Sequence, residues 1–259
     1  MFKWFHDLLK HRELFLYLVY VDMKSRYKGT SLGLVWSLLN PVVTIFVFRL
    51  AFIGVIQGRI QHYIFFLALG VIPWQFFSNT LTASTSSLVS FAPLIRNACF
   101  PRKIIPLVQV FSNFIHSFVI GLILLTPFVL AYHIRIHRAI FSLPLVVGIE
   151  LLFVSALSLM VSYLQVKFRD TQVILSHVLL FWFFLTPVFY ERGMFATRFR
   201  WIVAVNPMSW IIRWFRGIIL YGHVPAFKPF CIVSGAVLAI FYAGVFLFDK
   251  AEPYLAEEV

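Results

Sequence analysis

The sequence predicts an all-α integral membrane protein with six transmembrane helices. Of its 259 residues, 61% are hydrophobic and 12% are charged, whereas a soluble domain is about 45–50% apolar and about 25% charged. The apolar residues form continuous runs of about 20 residues, the length of a bilayer-crossing helix. They do not alternate with polar residues as the strands of a membrane barrel do. Lipid is therefore the predicted solvent for much of the chain.

Six apolar runs qualify as spans. Residues 1–30, before the first of them, are not expected to be a signal peptide, because they lack an apolar run followed by a small-residue cleavage site. The six predicted spans are 31–53, 63–85, 104–132, 142–166, 171–189 and 230–248.

Residues 1–30 precede the first span and have the pattern of an amphipathic helix lying on the membrane surface. Aromatic residues at its start, Trp4 and Phe5, suit an interface. A solvated helix and an irregular start to the first span are the alternatives. The residues on one face are Phe5, Leu8, Leu9, Arg12, Leu16 and Val19, opposite Lys3, Asp7 and Lys10.

The region 190–229 is apolar but is interrupted by Asn206-Pro207 and carries several arginines. Each half is too short to cross a bilayer. The pattern predicts two short re-entrant helices before the last span. The alternative is one additional span, which would place the two termini on opposite sides of the membrane.

The basic residues predict the orientation. The net charge is +12, which in a membrane protein indicates loops that meet anionic headgroups and does not require a nucleic-acid partner. Lys and Arg concentrate before the first span and in the loop at about 93–106. Because cytoplasmic loops are enriched in these residues, both termini and this loop are predicted to be cytoplasmic.

Motifs for several kinds of chemistry are missing from the sequence. There is no G-x-x-x-x-G-K-[ST] phosphate loop, no H-E-x-x-H pair and no G-x-S-x-G elbow. Cys99 and Cys231 are far apart and predict neither a disulfide framework nor a zinc site. Glu150 is the exceptional acid within a span, so it should lie near an end, face a wet path or find a partner.

Aromatic residues are abundant, with 31 Phe, 10 Tyr and 7 Trp. Aromatic faces stack on the apolar C–H faces of sugar rings, although any single residue more often faces lipid. Trp36 and Asn40 lie four residues apart and share one helix face. The aromatic content is compatible with a sugar-tolerant conduit, and we expect Trp36, Asn40, Trp182 and Phe183 to line its path.

Five stretches together resemble the membrane subunit of bacterial ABC-2 type polysaccharide exporters for O-antigen, capsule or teichoic acid. They are "YKGTSLGLVWSLLNPVV" (27–43), "LIRNACFPRKIIPL" (94–107), "VKFRDTQVIL" (166–175), "FLTPVFY" (184–190) and "NPMSWIIRWFRGIIL" (206–220). The O-antigen type is the most similar.

The resemblance implies a homodimeric permease in the bacterial inner membrane, driven by two copies of a separate ATPase that bind ATP and Mg. The chain itself would have no cofactor and no catalytic residue. The basic loop would be the coupling helix seated in the ATPase, with contacts from Arg96, Asn97, Pro101, Arg102 and Lys103. The short helices would form a periplasmic gate containing Trp201, Asn206, Pro207, Trp210 and Arg213.

The expected function is export of an undecaprenyl-linked, O-antigen-like polysaccharide. Three alternatives remain open: an ABC-2 exporter of another lipid or a drug, an integral membrane enzyme acting on lipid-linked sugars, and a non-catalytic assembly protein. The enzyme would need an acid or His cluster at one membrane face, and Glu150, Asp170 and Glu191 do not form one in sequence.

Overall fold

The computed structural model describes residues 10–27, 34–56, 62–97, 100–133, 137–191 and 200–252. Within these ranges the regular secondary structure is entirely helical, which confirms the all-α fold class. Predictions that involve residues 1–9, Cys99 or 192–199 lie outside the described residues. The helices are α1 (Arg12–Tyr27), α2 (Leu34–Ile56), α3 (Tyr63–Ser90), α4 (Ala92–Asn97), α5 (Ile104–Ala131), a 3-10 helix (Arg138–Ser142), α6 (Leu143–Lys167), α7 (Thr171–Leu185), α8 (Arg200–Val205), α9 (Pro207–Leu220) and α10 (Phe227–Ala251).

Five helical segments in the described part of the chain are long and apolar enough to cross a membrane. They lie in α2, α3, α5, the 3-10 helix with α6, and α10. The predicted span 171–189 is helical only over α7, which has 15 residues and a length of about 22 Å, shorter than a bilayer core of about 30 Å. It ends before Thr186-Pro187, because a residue that precedes proline avoids the helical conformation.

Helix α3 lies at the centre of the bundle. It packs against α2, α5, α6, α7 and α9. Large side chains along it are fully buried, among them Phe65, Leu67, Phe77 and Leu81. The centre of the fold is therefore an aromatic and aliphatic core built around one helix.

Small residues allow the helices of the bundle to approach closely. Thr80, Ser84 and Ser158 have 0% exposure, and the Thr80 hydroxyl donates to the Phe76 carbonyl at 2.6 Å. Gly244 of α10 lies so close to α6 that a Cβ there would be 2.7 Å from the Ala156 carbonyl oxygen. Small side chains thus line the helix contacts, and at Thr80 the buried hydroxyl is satisfied by its own helix.

Three regions meet at one end of the bundle. Leu18 and Val19 of α1 pack against Ile104 and Val108 at the start of α5. The turn before α5 contacts the end of α10 through Arg102. The N-terminal helix, the basic loop and the end of α10 therefore share one end, while α9 packs at the other, beside the start of α3.

Candidate functional site

The turn between α8 and α9 is anchored to the end of α7. Asn206 Oδ1 accepts hydrogen bonds from the Met208 backbone N–H and the Trp182 indole N–H, each at 3.0 Å. Its Nδ2 donates to Thr186 Oγ1 at 2.8 Å. Asn is a favoured helix N-cap, and Pro207 is suited to the first helical position. One amide thus starts α9 and ties it to α7.

The predicted path residues Trp182 and Phe183 are half-buried in the core. The Trp182 ring packs edge-on against Phe77, with centroids 5.0 Å apart. Phe183 packs against Trp74 and against Phe48 of α2, with centroid distances of 5.4 and 5.3 Å. The structure therefore joins Trp182 directly to a predicted gate residue, Asn206, a contact that the sequence analysis did not anticipate.

Trp36 and Asn40 lie elsewhere, in the first two turns of α2. Both are exposed, and Trp36 retains 56% of its accessible surface. Helices α2 and α7 contact each other through the rings of Phe48 and Phe183. The four predicted path residues thus divide into an exposed pair on α2 and a packed pair on α7.

Arg216 of α9 is a buried cation that ties α9 to α3 and to the turn after α7. Only 6% of its surface is exposed. Its Nε donates to the Phe66 carbonyl at 3.2 Å, Nη1 donates to the Pro187 carbonyl at 2.7 Å and Nη2 donates to the Val188 carbonyl. The guanidinium also lies 3.4 Å from the centroid of the Phe66 ring.

Gly70 makes room for this arrangement, since a Cβ there would lie 2.4 Å from Arg216 Nη2. Burial lowers the pKa of Arg216 to about 9, so the group stays charged at neutral pH. The sequence analysis counted α9 among the arginine-rich segments but assigned Arg216 no role. Its position among apolar residues of α9 was the sequence signal that could have indicated a buried, hydrogen-bonded arginine.

A cavity of about 940 Å³ adjoins Arg216. This volume is within the usual range of about 300–1,000 Å³ for ligand pockets. Its walls come from α8, α9, the turn after α7 and the stretch before α10. Charged and polar lining residues are Glu191, Arg200, Ser209, Arg213, Arg216 and His223, and aromatic ones are Phe66, Tyr190, Trp210, Trp214 and Tyr221.

The remaining predicted gate residues surround this cavity or lie near it. The Trp210 indole N–H donates to the Ala204 carbonyl at 2.8 Å and so joins α9 to α8. The exposed Arg213 has its guanidinium 5.3 Å from the Trp210 ring centroid. Trp201 is 65% exposed. The structure therefore gathers the predicted gate residues Trp210 and Arg213 at one site with Arg216.

Two basic residues of the predicted coupling loop have partners within the chain. The Arg102 backbone N–H donates to Glu252 Oε1 at 2.7 Å, and the Arg102 guanidinium donates to the Glu252 carbonyl. Lys103 is 6% exposed, and its Nζ lies 3.5 Å from Asp249 Oδ1. These contacts hold the loop against the end of α10.

The other predicted coupling residues face outward to a greater degree. Arg96 and Asn97 are exposed at the end of α4, and Pro101 is half-exposed in the turn before α5. Ile95 is buried on the opposite side of α4 and fixes the short helix to the bundle. Arg96 and Asn97 are therefore the predicted coupling residues most accessible to a partner.

A polar network that the sequence analysis missed joins α1 to α5. Arg26 Nε donates to Asp22 Oδ2 at 2.9 Å, and Nη1 donates to Asn113 Oδ1 at 2.8 Å. Gln109 Nε2 donates to Asp22 Oδ1 at 2.9 Å. The i, i+4 spacing of Asp22 and Arg26 was the local signal, whereas the pairing with α5 depends on the fold.

Glu150 lies about one-third of the way along α6 and is 3% exposed. Among the described residues, its Oε1 has no hydrogen-bond partner. The sequence analysis expected a partner, a wet path or a helix end. In the same ranges, no three His, Cys, Asp or Glu side chains come together as metal ligands do.

Comparisons with known proteins find matches over most of the chain. The family model described as ABC-2 type transporter matches residues 13–220, from α1 to the end of α9. The chain is 29% identical over 261 residues to the O-antigen export system permease protein RfbA of Myxococcus xanthus, with 100% of both chains covered. Two Klebsiella pneumoniae proteins of the same name are 29% identical over 242 and 238 residues, each comparison covering 91% of both chains.

Proposed function

The chain belongs to the ABC-2 type transporter family, and we propose that it is the membrane-spanning permease subunit of an ATP-driven exporter of lipid-linked polysaccharide. The observation that carries the proposal is the similarity over 100% of the chain to a protein named as an O-antigen export system permease. The five membrane-length helical segments agree with it. The substrate would move from the cytoplasmic to the periplasmic side of a bacterial inner membrane.

The energy for export would come from a separate ABC ATPase that binds ATP and Mg. Helix α4 and the turn before α5 lie beside the end of α10. The exposed Arg96 and Asn97 would contact the ATPase. Arg102 and Lys103 would set the position of the loop through Glu252 and Asp249, so that force on α4 reaches α5 and α10 together.

The polymer would pass between two copies of the chain. Exposed apolar residues on α2 and α7 give each copy a broad surface for such contact, including Trp36, Phe46, Phe181 and Phe184. Aromatic faces along this surface would contact sugar rings weakly and without strong selectivity, as a conduit that must release each unit requires. Helices α8 and α9 would close the periplasmic end.

The decisive experiment removes the gene from its host and follows the polymer. We expect lipid-linked polysaccharide to be made but retained on the cytoplasmic side, and re-expression of the chain with its ATPase to restore surface polymer. Normal surface polymer without the chain would contradict the proposal. Loss of polymer synthesis itself would favour an enzyme acting on lipid-linked sugars.

A further inference from the structure

The cavity beside α9 carries an excess of positive charge. Arg200, Arg213 and Arg216 line it, whereas the described lining includes one carboxylate, that of Glu191. A concave site with low-dielectric walls focuses the field of such charges and concentrates anions. The charge therefore favours an anionic ligand over a neutral one.

Arg216 contributes a buried charge without a directly paired carboxylate among the described residues, although the Glu191 carboxylate in the same cavity interacts with it electrostatically. Three of the five N–H donors of its guanidinium bond to the carbonyls of Phe66, Pro187 and Val188. No carboxylate in the described ranges forms an ion pair with it. A buried charge is costly unless it is paired, and an anion in the cavity would supply the direct pairing that Glu191 does not.

Ser209 provides a second, independent indication. It lines the same cavity, is 4% exposed, and its Oγ has no hydrogen-bond partner among the described residues. Buried hydroxyls are normally bonded. Ser209, Arg213 and Arg216 follow the i, i+4, i+7 spacing, so one face of α9 carries the hydroxyl and both guanidinium groups.

We propose that this face of α9 binds the phosphate-containing headgroup of a membrane lipid. Phosphate oxygens accept charge-assisted hydrogen bonds from guanidinium groups, and Trp210 and Trp214 offer aromatic walls for the sugar or glycerol attached to the phosphate. The phosphate chemistry follows from the cavity. That the natural ligand is a prenyl diphosphate attached to the polymer rests on the proposed function. An anionic phospholipid carries the same phosphate chemistry and is the alternative source of the headgroup.

The test uses the full-length chain purified in detergent without the ATPase. Labelled farnesyl diphosphate is the probe, and farnesol is its phosphate-free counterpart. We expect saturable binding of the diphosphate and weak binding of farnesol. Arg213→Gln should weaken diphosphate binding about tenfold, the size of one charge-assisted hydrogen bond, and Ser209→Ala should weaken it to a smaller degree.

Arg169→Gln is the matched control, because Arg169 is exposed outside the cavity in the turn between α6 and α7. Equal binding by the Arg169→Gln, Arg213→Gln and Ser209→Ala proteins, or equal binding of farnesol and its diphosphate, would overturn the proposal.

Competition with phosphatidylglycerol distinguishes the two sources. Displacement at comparable concentration assigns the site to bilayer lipid, and resistance to displacement assigns it to the prenyl diphosphate. Either result retains the phosphate site. Because the assay needs neither ATPase nor export, its outcome is separate from that of the gene-deletion experiment.

Discussion

The indole nitrogen of Trp182 donates a hydrogen bond of 3.0 Å to Asn206 Oδ1, and this bond links the end of α7 to the start of α9. The same oxygen caps α9 through the Met208 N–H. Any separation of α9 from α7 must therefore break the indole bond and the Asn206–Thr186 bond together. If α8 and α9 form a gate, Asn206 would hold it closed through the same side chain that caps α9.

Replacing Asn206 with Ala should destabilise the protein. Loss of the N-cap costs about 1 kcal/mol, and the partly buried Trp182 N–H loses its acceptor, which adds about 1 kcal/mol or more. The thermal unfolding temperature in detergent measures the effect. Asn40→Ala is the matched control, because Asn40 is exposed on α2, and equal shifts for both variants would contradict the assigned role of Asn206.

Two helical glycines should respond oppositely to alanine. At Gly70 a Cβ would lie 2.4 Å from Arg216 Nη2 and 2.6 Å from the Val188 carbonyl, so Gly70→Ala should cost about 1–3 kcal/mol through overpacking. At Gly148 nothing lies within 4 Å of the added atom, and alanine is the better helix former. Gly148→Ala should leave the unfolding temperature unchanged or raise it. A Gly70→Ala protein as stable as Gly148→Ala would show that Arg216 is held loosely.

The sequence predicted elements better than it predicted contacts. Long apolar runs located the membrane-length helices, and Asn206-Pro207 located the break between α8 and α9. The sequence analysis placed the end of this span at 189 because apolar residues continue past Thr186-Pro187, whereas α7 ends at Leu185. Pro187 was the local signal for the earlier end. Arg216 pairs with the Phe66 carbonyl 150 residues away and Lys103 with Asp249 at a separation of 146, and a local pattern contains no information about such pairs.

Glu150 offers a test of a buried carboxyl group. Its Oε1 is unsatisfied among the described residues, and a buried polar atom in that condition costs about 1–3 kcal/mol. Glu150→Leu, which has similar volume and no polar atom, should therefore raise the unfolding temperature, and Glu150→Gln should change it little. If Glu150→Leu destabilises the protein, the carboxyl has a stabilising partner. If export falls while stability rises, Glu150 acts in transport.

We expect two kinds of residue in the basic loop: residues that fix the loop to α10, and residues that contact the ATPase. Lys103→Glu would replace the ammonium that lies 3.5 Å from Asp249 Oδ1 with a like charge and should cost about 1–3 kcal/mol, less than a fully buried pair because the Asp249 side chain is 48% exposed. The double variant Lys103→Glu with Asp249→Lys should recover most of the loss. Thermal unfolding of the single and double variants measures the coupling.

Arg96→Glu is the contrasting change in the same loop. Since Arg96 is exposed, we expect a smaller fall in the unfolding temperature than for Lys103→Glu and weaker co-purification of the ATPase, because like or unpaired charges at an interface are costly. Undiminished ATPase association in Arg96→Glu would place the contact elsewhere. Loss of association in Lys103→Glu that the charge swap restores would show that Lys103 acts by positioning the loop.

Trp36 is the cleaner test of the polysaccharide path. Trp182→Ala would remove a packed ring and its hydrogen bond to Asn206, so reduced export would not distinguish a damaged path from a damaged fold. Trp36 is 56% exposed, and its truncation should leave the unfolding temperature nearly unchanged. If its indole stacks on passing sugars, Trp36→Ala should slow export about two- to tenfold, which corresponds to about 0.5–1.5 kcal/mol of aromatic contact. The rate of surface polymer appearance measures this, with ATPase association as a check.

Phe118→Ala on α5 is the control, since Phe118 is equally exposed at 57% but lies on a helix not predicted to line the path. Equal rates for the two variants would move the path away from the start of α2, whereas slowing confined to Trp36→Ala would place that face of α2 against the polymer.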